Sequence, residues 1–356
     1  MPQKTYRAAA IGHTDAGNYG HGLHTAYKEL DNVEFIAVAD PNEGGRKKAV
    51  EETGAVRDYA DYREMLDKEE LDIISVCPRW VTKHLDMALA CLQADCHVYH
   101  EKPMVASLAD GDQIVNTAKE RGLKVAIAHQ AVYLPAVQGI KKLLQDGKIG
   151  EIQAIYAHGK QDRRGGGEDM ITLGTHLFNM MRYFVGDVAW MQAHVTENGE
   201  EVTADHARDA TEPVGPVAGD CVNSYYAFKS GVSGFFDSRK DQVGPRYGME
   251  IVGSEGIISL RGGGGDEMMI YPHPCWTPGD TSQTWEPLQI DDTPFFNGNR
   301  LAIMDLIDAI ENDREPISSA ADAVAALEMI LGTYESQLTG KRVHFPIANR
   351  EHPLSR

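Results

Sequence analysis

The first third of the chain alternates short apolar runs with amphipathic stretches. Apolar runs of strand length occupy residues 7–11, 33–39, 71–76, 97–100 and 124–128, and helical spacing of apolar residues occupies 23–30, 46–53, 82–92 and 109–121. Strict alternation of this kind is typical of a doubly wound parallel sheet, because each crossover between parallel strands needs a helix that covers one face. The pattern therefore predicts an α/β domain over residues 1–128.

The pattern changes after residue 128. A helix at 137–144 precedes strand-like segments near 151–157, 188–195, 221–228, 232–237, 249–252, 257–260 and 268–271. Turns rich in Gly, Asn, Asp and Ser join several of them, as hairpin-linked antiparallel strands require. Two helices follow, at 299–311 and 320–338. We therefore expect residues 129–356 to form an α+β domain with a large, mostly antiparallel open sheet that serves for substrate binding and oligomerisation.

The amino-acid composition limits which kinds of binding partner we expect for this protein. The 356 residues include 34 Lys and Arg against 53 Asp and Glu, a net charge of −19, which repels nucleic acid and anionic lipid. The first residues lack the apolar segment of a signal peptide, and no run is long enough to span a membrane. The five cysteines are odd in number and form no C-x-x-C pair, and no histidine spacing is typical of a metal site. We expect a cytoplasmic protein with no metal, no nucleic-acid partner and no membrane partner.

A glycine turn follows the first strand. It contains Gly12, Gly17 and Gly20, with about three residues more than the strict G-x-G-x-x-G spacing. Glycines at this place let the backbone approach the pyrophosphate of a dinucleotide. Asp40 follows the second strand, where a carboxylate accepts hydrogen bonds from both ribose hydroxyls and repels the 2′-phosphate of NADP. The pair predicts a Rossmann domain that binds NAD, with NADP disfavoured although Arg46 lies close in sequence.

Further motifs carry a family resemblance. Residues 101–103 read Glu-Lys-Pro after the penultimate strand of the first domain, residues 74–78 read Ile-Ser-Val-Cys-Pro, and residues 174–176 read Gly-Thr-His. Near the C-terminus come Ala-Leu-Glu at 326–328 and Gly-Lys-Arg-Val at 340–343. In this order the set resembles the glucose-fructose oxidoreductase, inositol dehydrogenase and MocA family. The resemblance implies an NAD(P)-dependent oxidoreductase that moves a hydride between nicotinamide and a secondary hydroxyl of a sugar, glycoside or cyclitol.

The resemblance also implies roles for individual residues. Lys102 touches the reacting hydroxyl, Pro103 is often preceded by a cis peptide, and His176 is the general base. The family has an acid four residues before that histidine, whereas this chain has Thr172, so His176 and Lys102 both remain candidates for the base. The expected cofactor-binding residues are Gly12, Thr14, Gly17, Tyr19, Gly20, Asp40, Pro78, Trp80, His84, Glu101 and Lys102. The expected substrate-binding residues are Lys102, Arg163, Arg164, Asp169, Thr172 and His176.

Two alternative functions stay open at this stage. The first is NAD-dependent cleavage of a glycoside through transient oxidation at C3 and elimination, which the altered position 172 favours mildly. The second is a non-catalytic dinucleotide-binding sensor, which the presence of Lys102 and His176 disfavours. Paired arginines at 163 and 164 are able to bind a carboxylate or phosphate, which would indicate an acidic sugar. The resemblance further implies a homodimer or homotetramer formed through the outer face of the second sheet.

Overall fold

A computed structural model describes residues 4–244, 246–262, 267–290 and 297–355. The chain divides into two compact units. The first unit consists of residues 1–129, Glu212–Gly215 and 296–324, and the second of Gln130–Thr211, 216–295 and Ala325–Arg356. Two short segments from the second half of the chain are therefore part of the first unit. No helix among the described residues is both long enough and apolar enough to cross a membrane.

The first unit contains a six-stranded sheet in which every pair of neighbours is parallel. The strand order is β3-β2-β1-β4-β5-β6, and the strands are β1 Tyr6–Ile11, β2 Val33–Ala39, β3 Arg57–Tyr59, β4 Ile73–Val76, β5 His97–His100 and β6 Val125–Ile127. Its helices are α1 Glu43–Thr53, α2 Tyr62–Lys68, α3 His84–Gln93 and α4 Leu108–Arg121, with α8 Gly298–Glu311 added from the late segment. The doubly wound parallel sheet is confirmed. The sequence patterns did not predict β3 and α2.

The helix expected at 23–30 is wrong. Only a three-residue 3₁₀ turn forms there, Leu23–Thr25, and the bonds that follow span three residues, such as that from the Lys28 N–H to the Thr25 carbonyl. Inside this range Glu29 has a φ of 63°, which a right-handed helix does not contain, and Gly22 just before it has a φ of 82°. The glycine turn therefore does not lead into a regular α-helix.

The second unit contains a ten-stranded sheet, ordered β17-β16-β15-β14-β7-β13-β12-β8-β18, with β9 beside β8. All its pairs are antiparallel except β7 with β13. This confirms a large, mostly antiparallel sheet. The strands are β7 Ile152–His158, β8 Val188–Glu197, β9 Glu200–Glu201, β12 Cys221–Phe228, β13 Ser233–Arg239, β14 Gly248–Gly253, β15 Ile257–Arg261, β16 Glu267–Tyr271, β17 Glu286–Pro287 and β18 Val343–His344; β10 Arg208–Asp209 and β11 Pro216–Val217 pair separately.

Three helices of the second unit are α5 Pro135–Gln145, α6 Gly167–Thr172 and α7 Gly174–Val185. The long helix α9, Ala320–Thr339, begins in the first unit and continues in the second. Phe178 of α7 packs against Phe236 and Tyr226 on one face of the sheet, with ring centroids 4.7 and 5.6 Å away. Aromatic contacts of this kind fix α7 on the sheet, and with it the Gly-Thr-His motif at its start.

Candidate active site

The glycine turn is a tight, internally bonded loop. His13 and Asn18 exchange backbone hydrogen bonds of 3.1 and 2.9 Å, so the extra residues close into a short turn. Gly17 and Gly20 have positive φ values of 95° and 58°. A Cβ on Gly17 would overlap the backbone of Arg79, and one on Gly20 would overlap the Cys77 carbonyl and the Glu101 carboxylate. Glycine is therefore required where this turn meets the loops after β4 and β5.

Asp40 lies at the end of β2, as expected, and it is almost fully buried. Its carboxylate accepts hydrogen bonds from the Thr14 N–H at 2.9 Å, the Thr14 hydroxyl at 2.8 Å and the Asn42 N–H at 2.9 Å. Gly45 of α1 leaves the space that the Thr14 hydroxyl occupies. Arg46 contacts the Asp58 carboxylate and the Asp40 carbonyl. The proposed ribose acceptor is thus bound to the glycine turn, and the nearest arginine is engaged with protein atoms.

A cavity of about 270 Å³ opens at the carboxyl ends of β1 and β2. Its volume is close to the lower end of small-molecule sites, roughly 300 Å³. It is lined by Gly12, His13, Asp40, Tyr62, Arg63 and Lys83, among others. The carboxyl edge of an open parallel sheet is where such folds bind ligands. The cavity, the positive-φ glycines and the acid together fit the adenosine part of a dinucleotide.

Other expected cofactor residues have different surroundings. The Tyr19 ring lies against Gly12 and is 4.6 Å from the His24 ring, and burial raises the pKa of its hydroxyl. Pro78 is buried and Trp80 is half-buried at the start of the turn that precedes α3. Tyr19 is therefore part of the packing beneath the glycine turn in this structure.

Glu101 connects the glycine turn to the loop after β5. Its carboxylate is fully buried and accepts from the His21 N–H, the His21 ring Nδ1 and the Lys102 N–H, each at 3.0 Å. Burial alone raises the pKa of a carboxyl group, but these hydrogen bonds and the Lys102 charge outweigh it, so the pKa of Glu101 is lowered. Glu101 is therefore a carboxylate that orients two loops.

The His84 ring also connects two loops, through contacts of its nitrogens with backbone carbonyls. Its Nε2 lies 2.6 Å from the Pro78 carbonyl, and its Nδ1 lies 3.0 Å from the carbonyls of Pro103 and Met104. The ring is completely buried, and burial lowers its pKa. Its two nitrogens thus face backbone carbonyls of the loop after β4 and of the loop after β5.

Lys102 follows β5 in the chain, between Glu101, which contacts His21, and Pro103, whose carbonyl contacts His84. It is buried, and the Lys102–Pro103 peptide is cis, as the family resemblance implied. Its ammonium interacts electrostatically with Glu101 and His129. Burial, followed by the charge of Lys102, lowers the pKa of His129 to about 3. The lysine therefore has one carboxylate and one buried imidazole among its electrostatic partners.

In the second unit, the two acids of α6 are buried and bonded within the unit. Asp169 accepts from the Ser238 hydroxyl at 2.6 Å and the Gln161 N–H at 3.0 Å, and burial raises its pKa. Its Oδ1 has no hydrogen-bond partner within residues 4–244, 246–262, 267–290 and 297–355. Glu168 accepts from both the N–H and the hydroxyl of Thr211. Both carboxylates contribute to the packing of α6 against neighbouring strands and loops.

His176 lies in the first turn of α7 and is buried, as is Thr172 at the end of α6. The Thr172 hydroxyl donates to the Glu168 carbonyl at 2.7 Å. Leu173, with a φ of −119°, separates α6 from α7, so Asp169 and His176 lie on two different helices.

The paired arginines have different surroundings. Arg164 contacts Asp162 through its N–H and its guanidinium, and Arg163 is exposed. A Cβ on Gly165 or Gly166 would overlap the backbone near Arg239 or Asp220. Close packing against the neighbouring backbone therefore accounts for these two glycines.

The first unit defines a dinucleotide-binding protein of the Rossmann class, by its strand order, its glycine turn and the acid after β2. Residues 7–129 match a family model described as an oxidoreductase family with an NAD-binding Rossmann fold. Residues 137–259 match the GFO/IDH/MocA C-terminal domain. The chain therefore belongs to the Gfo/Idh/MocA family of oxidoreductases.

Several characterised proteins are similar to this chain. Myo-inositol 2-dehydrogenase of Thermotoga maritima is 27% identical and aligns with 65% of this chain and 69% of its own. D-apiose dehydrogenase of Paraburkholderia graminis is 23% identical, with 98% and 92% covered. The structure of levoglucosan dehydrogenase with NADH and levoglucosan has a TM-score of 0.79 and 18% identity, and the match covers 96% of this chain and 100% of that one. At that identity the structural match shows the fold.

Two residues of the first unit did not stand out as site residues in the sequence. Asn299 of α8 donates to the His21 carbonyl at 2.9 Å and accepts from the Tyr99 hydroxyl at 2.7 Å. His21 was noticed only as one of several histidines without metal spacing. Asn299 lies 278 positions from His21, and no local pattern marks such a contact.

Among the described residues, no group of three or more His, Cys, Asp or Glu side chains is arranged to hold a metal ion.

Proposed function

We propose that this protein oxidises a secondary hydroxyl of a sugar, glycoside or cyclitol with NAD, or runs the reverse reduction. The observation that carries the proposal is the buried Lys102 at the carboxyl end of β5, next to the Glu101 contact with the glycine turn. The names of the relatives support the substrate class, since they act on inositol, apiose and levoglucosan.

The coenzyme would be held by the glycine turn, Asp40 and the cavity beside them. Gly12 and Asp40 line that cavity, and Gly17 and Gly20 keep the backbone near the sheet edge. A bound nicotinamide coenzyme supplies the acceptor for the two electrons that leave the carbon with its hydrogen. Asp40 favours NAD, because its carboxylate repels a 2′-phosphate.

Lys102 would lower the energy of the alkoxide that forms as hydrogen leaves the carbon. An ammonium in a buried setting stabilises a developing negative charge more strongly than water does, because its position is fixed in advance. His176 and Lys102 are both candidates for the base, and Thr172 cannot support an imidazolium at His176 by charge.

The test is the appearance of reduced coenzyme with a panel of inositols, aldoses and glycosides. We expect NADH to form with at least one of them, and Lys102→Met to reduce kcat by about 10²-fold or more while calorimetry still detects NAD binding. Lys119→Met, on the exposed face of α4, is the matched control and keeps wild-type rates. Coenzyme binding without turnover of any panel member would contradict the proposal.

The panel includes an aryl glycoside, so that the glycoside-cleaving alternative is tested in the same experiment. Release of the aryl group with a catalytic amount of NAD, and without accumulation of NADH, would support that alternative. A non-catalytic sensor would bind NAD and lose no biological activity when Lys102 is replaced.

We also propose that the outer face of the ten-stranded sheet forms a homodimer or homotetramer contact. A groove of about 660 Å³ lies on this face, and the rings of Tyr156 and Phe235 stack there with centroids 4.7 Å apart. Trp190 and Tyr225 extend the aromatic surface. Light scattering of Tyr156→Arg should show a smaller assembly than the wild type, and an unchanged mass would contradict the proposed contact.

A further inference from the structure

The cavity at the carboxyl ends of β1 and β2 has lining residues that no sequence motif predicted. Tyr62 and Arg63, at the start of α2, and Asp86, in the first turn of α3, line it together with Gly12 and Asp40. None of the first three was expected to contact a coenzyme. All the residues that line the cavity belong to the first unit, so it is formed within one unit.

The cavity combines apolar side chains with a few charged ones. Ile11, Ala39 and Met87 line it and are buried, whereas Arg63 and Asp86 are exposed. Apolar walls with a small number of polar groups suit a flat ligand that has a polar edge. The adenine base of a dinucleotide is such a group, because its two faces are apolar and its edge carries an amino group.

Tyr62 and Arg63 form a stacked pair. The guanidinium carbon of Arg63 lies 4.6 Å from the centre of the Tyr62 ring, which is within the range of a cation–π contact. The Asp61 carboxylate accepts from the Arg63 backbone N–H at 2.9 Å and so fixes the first turn of α2. Nucleic-acid bases stack on aromatic rings and on guanidinium planes of this kind. The pair therefore offers a surface for one face of the base.

Asp86 brings a hydrogen-bond acceptor to the same cavity. Burial raises the pKa of the Tyr62 hydroxyl, the Arg63 charge lowers it, and the Asp86 charge raises it further. Asp86 is therefore close enough to the stacked pair to act on it electrostatically. A carboxylate only accepts hydrogen bonds, and the 6-amino group of adenine donates them.

The other two acids of the cavity are already engaged. The Asp40 carboxylate accepts from the Thr14 N–H, and the Asp61 carboxylate accepts from the Arg63 N–H. In the described part of the chain, no group donates a hydrogen bond to the Asp86 side chain. Of the three acids, Asp86 is thus the one whose oxygens a ligand reaches without displacing a protein donor.

We propose that the Tyr62–Arg63 pair and Asp86 select the adenine base of the coenzyme. The base stacks on the pair, and the Asp86 carboxylate accepts a hydrogen bond from its 6-amino group. This inference rests on the proposed function and deepens it, because it names the residues that recognise the coenzyme at the end far from the reacting carbon. An oxygen in place of the amino group would set one acceptor against another.

The test compares NAD with nicotinamide hypoxanthine dinucleotide, in which an oxygen replaces the 6-amino group. We expect calorimetry to give the wild-type protein an affinity for NAD that is about tenfold or more above its affinity for the analogue. In Asp86→Asn the two affinities should lie within about threefold, because an amide both donates and accepts hydrogen bonds. Equal affinities in the wild type, or an unchanged ratio in Asp86→Asn, would overturn the proposal.

The matched control is Asp110→Asn. Asp110 is the third residue of α4, as Asp86 is the third residue of α3, and it does not line the cavity. Its substitution removes the same charge from the same position of a helix, so the ratio of the two affinities should stay at the wild-type value. Lys83 also lines the cavity, and its ammonium donates hydrogen bonds. A preference for the hypoxanthine analogue would assign the edge contact to Lys83 and overturn the proposal.

Arg63 variants test the stacked pair independently, also if Asp86→Asn does not fold. Arg63→Ala should weaken both dinucleotides by about tenfold and leave their ratio unchanged, because stacking does not distinguish the edge of the base. Arg63→Lys keeps the charge and loses the plane, so it should show most of the same loss. Full affinity in Arg63→Lys would show that charge alone attracts the phosphates, and it would overturn the stacking.

The same measurements separate this inference from the proposed function. A wild-type protein that binds neither dinucleotide would refute both. A wild-type protein that prefers NAD through Asp86 and oxidises no sugar or cyclitol would contradict the proposed function and support the assignment of the base site.

Discussion

Replacement of Gly20 by alanine tests whether the Glu101 contact controls the stability of the glycine turn. Gly20 has a φ of 58°, and an added Cβ would overlap both the Cys77 carbonyl and Glu101 Oε2. The carbonyl belongs to the backbone after β4, so it cannot move without disturbing the sheet. The Glu101 carboxylate must then leave His21, and both of its hydrogen bonds to that residue are lost.

The expected loss follows from these two contributions. A left-handed conformation costs a non-glycine residue about 1–2 kcal/mol, and each hydrogen bond to a charged group contributes about 1.5–3 kcal/mol, so Gly20→Ala should cost about 4–8 kcal/mol. Whole domains are stable by about 5–15 kcal/mol, so this loss is a large share of the free energy of unfolding.

Gly54→Ala is the control that separates strain from overlap. Gly54 ends α1 with a φ of 74°, and an added Cβ would meet no atom within 4 Å. It should therefore lose only the strain, about 1–2 kcal/mol. Urea unfolding followed by tryptophan fluorescence and circular dichroism measures both variants. Equal midpoints for the two variants would refute the assignment of Glu101 as the group that holds the turn.

Two further predictions concern single carboxylates. Burial raises the pKa of Asp169, so its favourable contribution is complete below the pKa of the unfolded chain, about 3.9, and is lost as pH rises through the folded value. Asp169→Asn still accepts from Ser238 and Gln161, so its melting temperature should rise relative to the wild type between pH 4 and pH 7; parallel curves would contradict this. Asp40→Ser removes a charge that repels the 2′-phosphate by about 1–4 kcal/mol, so kcat/KM for NADP relative to NAD should increase roughly tenfold or more. An unchanged ratio would show that Asp40 does not select the coenzyme.

The sequence predicted the sheet strands well where apolar residues form continuous runs. The structure has β2 and β5 at the predicted bounds, because each lies between two neighbouring strands and ends in a continuous buried run. It has β3, Arg57–Tyr59, at a sheet edge, where polar side chains leave no apolar run to detect. The helix expected at 23–30 does not form, and the left-handed φ of Glu29 within it is a property of the folded chain that apolar spacing does not report.

The sequence predicted which residues belong to the candidate site, but it did not predict which residues they contact. Motif and resemblance pointed to Glu101, Lys102 and Asp40, since each follows a buried strand. The partners of these residues come from far away in sequence: His21 is 80 positions from Glu101, and Thr14 is 26 positions from Asp40. Such pairs depend on how the glycine turn closes, and the closing is determined by packing against the loops after β4 and β5.

The bonds between Asp40 and Thr14 have a consequence for coenzyme recognition. The carboxylate already has protein donors on both oxygens, so a ribose that reaches it exchanges one set of donors for another. Such an exchange releases little net enthalpy, since the number of hydrogen bonds stays nearly constant. If Asp40 binds the ribose as proposed, it would contribute discrimination between coenzymes more than tightness of binding, and most of the affinity would come from the rest of the dinucleotide.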